Sequence, residues 1–171
     1  MKSRRDVIKT LALSFGGGLL NTYSWKGEHE EKELLLPDSD FQIPKIIKAI
    51  TLGAGARGNV YGDYSITYPG RLQIIGVAEP IAERNNRYCQ KHSIDEKNRF
   101  ESWEQVFTRP KFADAVIITT PDDLHYAPCM KALEMGYDVL LEKPIAPTEK
   151  ECRDILKKTK ETGRILSLIH I

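Results

Sequence analysis

The sequence predicts an α/β fold built on a doubly wound parallel sheet, and three observations carry that expectation. Short apolar runs alternate with helical patterns from about residue 44 to the end, the order expected of crossover units with helices on both faces of a sheet. A glycine-rich corner, Gly53-Ala54-Gly55-Ala56-Arg57-Gly58, joins the first apolar run to the first helical pattern. Later runs end in polar clusters, Glu79, Thr119-Thr120-Pro121-Asp122-Asp123-Leu124-His125 and Glu142-Lys143-Pro144, as strands do where an open sheet presents its ligand-binding edge.

The elements follow in order. Ile46 to Leu52 reads as a buried strand, followed by a helix to about Tyr68. Leu72 to Ala78 reads as a second strand, with a helix from Ile81 to His92 and a short helical turn near Trp103. A third apolar strand spans Ala113 to Thr119, then a helix ends at Gly136. Pro128 fits only the first turn of that helix, which leaves residues 120 to 125 as irregular loop. A strand from Tyr137 to Leu141 follows. The last helix carries the clearest local signals: Thr148 and Glu151 form a capping box, Cys152, Ile155, Leu156 and Thr159 repeat at helical spacing, and Gly163 stops it. A final strand, Arg164 to Ile171, runs into the terminus, as expected of a fragment of a longer protein.

Composition bounds the rest. With 171 residues and 41% apolar content, the chain suits one core plus extensions. Lys and Arg number 25 against 24 Asp and Glu, a net charge of +1, which provides no field for gathering nucleic acid. Cys89, Cys129 and Cys152 lack the spacing of a metal or disulfide framework and read as small buried hydrophobes. Residues 1 to about 25 stand apart: Lys2, Arg4 and Arg5 precede an apolar run from Thr10 to Leu20, diluted by Gly16, Gly17 and Gly18, which is the layout of a secretory signal. Within it Ser3-Arg4-Arg5-Asp6-Val7-Ile8-Lys9 resembles the twin-arginine consensus. The expectation is export to the periplasm or another extracytoplasmic site by the twin-arginine machinery; no clear cleavage site follows, which leaves room for an uncleaved anchor. Residues 26 to 44, charged and ending near Pro37 and Asp38, read as a linker, and residues 45 to 171 as the domain.

The chemistry sits in the clusters. In the glycine corner Gly53 supplies a tight turn, Gly55 lets backbone approach a pyrophosphate, and Gly58 allows close packing of helix on strand. The N–H groups that open the helix, around Gly55, Ala56 and Arg57, would then hold phosphates. Glu79, 21 positions after Gly58, is placed to accept hydrogen bonds from adenosine ribose hydroxyls, and its charge would repel a 2′-phosphate. NAD is therefore expected over NADP, with NADP kept open by Arg57 and Arg84. Thr120, Pro121 and His125 lie on a loop that can touch the cofactor, although His125 reads equally as a structural histidine. Lys143 can donate a charged hydrogen bond to a substrate oxygen or the nicotinamide carboxamide, with Glu142 positioning it and Pro144, in cis or trans, fixing its aim.

Taken together, GAGARG, VAEP at 77 to 80, TTPDDLH at 119 to 125 and EKPIA at 142 to 146 resemble the N-terminal domain of the glucose-fructose oxidoreductase, inositol dehydrogenase and MocA family over residues 45 to 168. The resemblance implies hydride transfer between a sugar or polyol and a nicotinamide, with Lys143 matching the family's lysine that contacts cofactor and substrate. It also implies a second α+β domain, absent here, that supplies an Asp and a His and a homo-oligomer interface; this chain alone is then expected to be inactive. The pattern departs from the family's at Ile169-His170, and His170 receives no role. An exported protein with a tightly held cofactor leaves two alternatives open, a redox-neutral NAD-dependent glycoside hydrolase and a non-catalytic nucleotide sensor.

Overall fold

The computed structural model describes residues 45–169; the segments expected to be an export signal (1 to about 25) and a linker (26 to 44), and His170, lie outside the described residues. Six strands form one sheet in the order β3-β2-β1-β4-β5-β6, with every neighbouring pair parallel. They are β1 (Ile47–Leu52), β2 (Leu72–Ala78), β3 (Arg99–Phe100), β4 (Ala115–Ile118), β5 (Asp138–Glu142) and β6 (Leu166–Ile169). The helices are α1 (Ala56–Thr67), α2 (Ala82–His92), the single turn α3 (Trp103–Val106), α4 (Tyr126–Glu134) and α5 (Glu149–Thr162).

Alternation of side chains along each strand splits the core into two layers. One contains Ala49, Ile74, Val77 and Ile117 with Tyr61 of α1 and Tyr88 of α2. The other contains Ile50, Leu52, Val116, Ile118 and Leu141 with Cys129 and Leu133 of α4 and Ile155 of α5. Because both faces are covered, the central strands read as continuous apolar runs rather than alternating ones. The capping box at Thr148 and Glu151 forms, and Gly163 closes α5 at φ +62°. Cys89, Cys129 and Cys152 are free thiols, the first two buried and the third half-buried.

The structure departs from the sequence expectation in several places, the later start of the final strand at Leu166 and the half-buried Cys152 among them. The third apolar strand is shorter, Ala115–Ile118, because Asp114 turns its carboxylate to the Lys48 N–H at 3.0 Å and to the Lys45 ammonium at 3.1 Å, clamping the start of β1. The next strand lies one residue later, at Asp138–Glu142, with Tyr137 wholly buried before it. Leu156, expected on the buried stripe of α5, is 53% exposed, while Ile155 carries the contact at 1%. The loop at 120 to 125 is not irregular throughout, since Asp122–Leu124 form a 3-10 turn closed by the Leu124 N–H on the Pro121 carbonyl. Finally, β3 and the 3-10 turn before it, Glu96–Asn98, were not expected. They are stitched to β2 by side-chain amides: Asn98 donates to the Ile75 carbonyl, and Asn85 to those of Glu79 and Phe100.

Candidate cofactor site

Register places the predicted clusters on one edge. Ala78 pairs with Leu52, Leu52 with Ile118, and Ile118 with Leu141. These four residues are abreast, so Glu79, Gly53, Thr119 and Glu142 are the next residues of four adjacent strands at the carboxyl edge of the sheet. Lys143 follows two strands over from the glycine corner, roughly 10 Å at the usual strand spacing.

The corner is built by close approach. Gly53 turns at φ +91°, and a Cβ there would lie 2.7 Å from the Thr119 carbonyl oxygen. At Gly58 a Cβ would meet the Gly53 carbonyl oxygen at 2.1 Å, so α1 rests directly on the strand end. Thr119 fastens the turn, its hydroxyl donating to the Gly53 carbonyl at 2.6 Å. Tyr88 supports it from beneath, joined to the Thr51 hydroxyl at 2.9 Å and donating to the Gly58 carbonyl at 3.2 Å. Gly55 differs from its neighbours, because a Cβ there would meet nothing within 4 Å.

That open position is the start of α1. Gly55 caps the helix without a side-chain hydrogen bond, and no carboxylate lies in the first turn, whereas α5 fills the same role with Thr148 and Glu151. The first N–H groups of a helix carry a partial positive charge and need an acceptor, so an uncapped start facing open space suits a phosphate. The residues present fit the pyrophosphate of a dinucleotide.

Glu79 is 4% exposed and both carboxylate oxygens have partners: Oε2 accepts the Ala54 N–H at 2.8 Å and Oε1 the Ile81 N–H at 3.0 Å. It therefore staples the glycine corner to the entry of α2, and what it keeps for a ribose hydroxyl is the second lone pair of each oxygen. Arg57 does not offset Glu79. Its Nε lies 3.2 Å from Glu142 Oε1, toward β5. Arg84 is exposed near the start of α2.

Glu142 corrects one expectation. It is 6% exposed and makes no contact with the Lys143 ammonium; its other oxygen accepts the Tyr61 hydroxyl at 2.5 Å. Burial, then the hydrogen bond to Glu142, pushes the Tyr61 phenol well above its ordinary range, so it stays a donor. Lys143 itself is exposed and free of hydrogen bonds and ion pairs among the described residues. The bond from it to Pro144 is cis. His125 is wholly buried, with Nδ1 2.6 Å from the Pro144 carbonyl and Nε2 3.0 Å from the Thr120 carbonyl. It joins two site loops and presents no ring nitrogen outward, which favours the structural side of the two readings. Thr120 is half-buried with its hydroxyl donating to the Leu124 carbonyl, and Ala56, Pro121 and Pro144 are exposed.

Sequence reasoning missed Tyr61 and Tyr88 as parts of the site, and although it put Thr119 in the cluster at the sheet edge it did not foresee the grip of that hydroxyl on the Gly53 carbonyl. Tyr61 had a signal, since Arg57 and Tyr61 stand four apart on α1 and so share a face; the other two depend on tertiary approach.

A family model described as "Oxidoreductase family, NAD-binding Rossmann fold" matches residues 47–170. The chain belongs to the Gfo/Idh/MocA oxidoreductase family. It is this family's NAD(P)-binding Rossmann domain. Among curated Gfo/Idh/MocA proteins, it is 29% identical to scyllo-inositol 2-dehydrogenase (NAD(+)) of Bacillus subtilis, over 70% of this chain and 34% of that protein. It is 27% identical to the NADP(+)-dependent scyllo-inositol 2-dehydrogenase IolW of the same organism, over 72% of this chain and 33% of that one. Its fold matches the WlbA dehydrogenase of Bordetella pertussis, solved with NADH and UDP-GlcNAcA, with a TM-score of 0.66 at 19% identity over 73% of this chain and 37% of that one. The chain thus spans about a third of the length of these proteins.

Proposed function

We propose that this chain is the cofactor-binding part of a dehydrogenase that oxidises a hydroxyl-bearing carbon of a sugar or polyol, with NAD preferred to NADP. The observation that carries the reading is the free ammonium of Lys143 on the same sheet edge as the uncapped start of α1, two strands away. The inositol dehydrogenases among its relatives support the substrate class. The nicotinamide, when bound, supplies the hydride acceptor. Backbone amides at Gly55, Ala56 and Arg57 bind the pyrophosphate, and Glu79 accepts from the adenosine ribose. The Lys143 ammonium would donate a charged hydrogen bond to the substrate oxygen and stabilise the negative charge that develops there as the hydroxyl proton is lost to solvent, before the carbonyl forms. The Thr120-Pro121 loop, held by His125, borders the pocket. NAD preference rests on the Glu79 carboxylate standing beside the glycine corner with Arg57 committed to Glu142 instead of to it.

The test is a panel of inositols and aldoses incubated with NAD+ or NADP+ and a longer form of the protein that carries the second domain the resemblance implies. NADH formation with a cyclic polyol or sugar supports the proposal; hydrolysis of a glycoside without net NADH would replace it with the redox-neutral reading. We further propose that residues 3 to 9 direct twin-arginine export, which a reporter fused after residue 44 checks by its location in cells with and without that pathway.

A further inference from the structure

Lys143 has no hydrogen-bond or ion-pair partner among the described residues, yet both its neighbours are anchored. Before it, Glu142 ends β5 and sends its carboxylate to α1, where Arg57 takes Oε1 at 3.2 Å and Tyr61 takes Oε2 at 2.5 Å. After it, the Pro144 carbonyl lies 2.6 Å from His125 Nδ1. The ammonium is therefore aimed by the backbone between two fixed points, and the first of these is tied to the helix whose start forms the phosphate cradle.

The composition of that tie is unusual for a packing contact. Arg57 puts a cation in the first turn of α1, where the helix dipole disfavours one. Glu142 puts a carboxylate at 6% exposure, where an unpaired charge is disfavoured. Each group is acceptable there because of the other, and Tyr61 supplies the second donor that the buried carboxylate needs. An apolar contact would hold helix to strand without these burdens. What the polar bridge adds is direction: a two-pronged grip on one carboxylate fixes the angle at which the chain leaves β5 into Lys143.

We propose that Arg57 and Tyr61 are positioning residues for Lys143, acting through Glu142 to set the distance between its ammonium and the cofactor held at the start of α1. This rests on the reading of Lys143 as the residue beside the nicotinamide. A merely structural bridge would affect stability and leave the lysine's response to cofactor unchanged.

The test is carbon-13 NMR of the full chain after reductive methylation of its lysines, with the Lys143 resonance assigned by its loss in Lys143→Arg. In the unaltered protein, saturating NAD+ should shift and broaden that resonance. In Tyr61→Phe the shift should fall by at least half while NAD+ affinity changes by less than about fivefold, a factor equivalent to roughly 1 kcal/mol, and in Arg57→Ala, which keeps its backbone amide at the helix start, the shift measured at saturating NAD+ should fall likewise. Two variants guard against one failing to fold, and each is read only as a cooperatively melting protein. An undiminished Lys143 shift in both variants would overturn the positioning role alone. A Lys143 resonance in the unaltered protein that ignores bound NAD+ would overturn the placement of the lysine, and the present proposal with it.

Discussion

The Gly53 carbonyl oxygen stands 2.1 Å from where a Cβ on Gly58 would be, so the first turn of α1 and the end of β1 touch through backbone alone. This contact divides the three glycines of the corner into two kinds. Gly53 and Gly58 are required by the fold, whereas a Cβ on Gly55 would meet nothing within 4 Å among the described residues, so packing does not require a glycine there.

Two substitutions should therefore separate stability from binding. Gly58→Ala forces backbone apart and should destabilise by about 2 kcal/mol or more, as overpacking does. Gly55→Ala, at an ordinary φ of −73°, should lose no more than about 1 kcal/mol yet weaken NAD+ binding at least tenfold. Urea unfolding and calorimetric NAD+ titration of both variants read the two effects; equal binding by Gly55→Ala and the unaltered protein would remove the phosphate from that position.

Lys143→Ala should leave stability within about 0.5 kcal/mol, because the side chain is exposed and makes no hydrogen bond or ion pair among the described residues. In a form that carries the second domain, turnover of a sugar or polyol should fall at least a hundredfold, the usual range for removing one preorganised hydrogen-bond donor at a charge-bearing oxygen. A variant that turns over normally would show that the ammonium is not at the reacting oxygen.

Glu79→Gln should narrow the preference for NAD over NADP by tenfold or more, since the repulsion of a 2′-phosphate is gone. The amide keeps one acceptor for Ala54 or Ile81 and loses the other, so stability should also fall by about 1–3 kcal/mol. Comparative Kd values for the two cofactors decide it, and an unchanged ratio would place the ribose elsewhere.

Acid sensitivity has two separable sources. Burial, with Lys91 nearby, holds the His92 imidazole below its ordinary value of 6.5, against the pull of Asp63. Its unfolded form therefore takes up a proton first, and stability declines as pH falls from about 6.5 toward the lowered folded value. Asp114 loses some anion character to burial, but the Lys48 N–H and the Lys45 ammonium outweigh this and hold its carboxyl below 3.8. Its contribution is present above that value and lost as pH drops through the folded one. His92→Gln should flatten the stability profile between pH 5 and 7 without altering the lower limb, and Asp114→Asn should do the reverse, both read from urea midpoints.

The sequence was most legible where a single residue type has one physical use. The glycine corner, the capping box at Thr148 and Glu151 and the Gly163 stop all needed only local chemistry, and each stands where expected. Apolar runs located the four central strands because both faces of the sheet are covered. Strand β3 was hidden, since two residues carry no periodicity and Asn85 and Asn98, which hold that edge, signal nothing in sequence. The direction of Glu142 was hidden for another reason. Adjacency to Lys143 suggested a pair, but the carboxylate turns toward α1, where Arg57 and Tyr61 hold it.

A crystal structure with NAD+ bound tests the central claim most directly. The account predicts phosphate oxygens on the backbone amides of Gly55, Ala56 and Arg57, the adenosine ribose at Glu79 and the nicotinamide ring within hydrogen-bonding reach of Lys143 Nζ. A pyrophosphate seated away from α1, or a nicotinamide on the opposite edge of the sheet from Lys143, would contradict it.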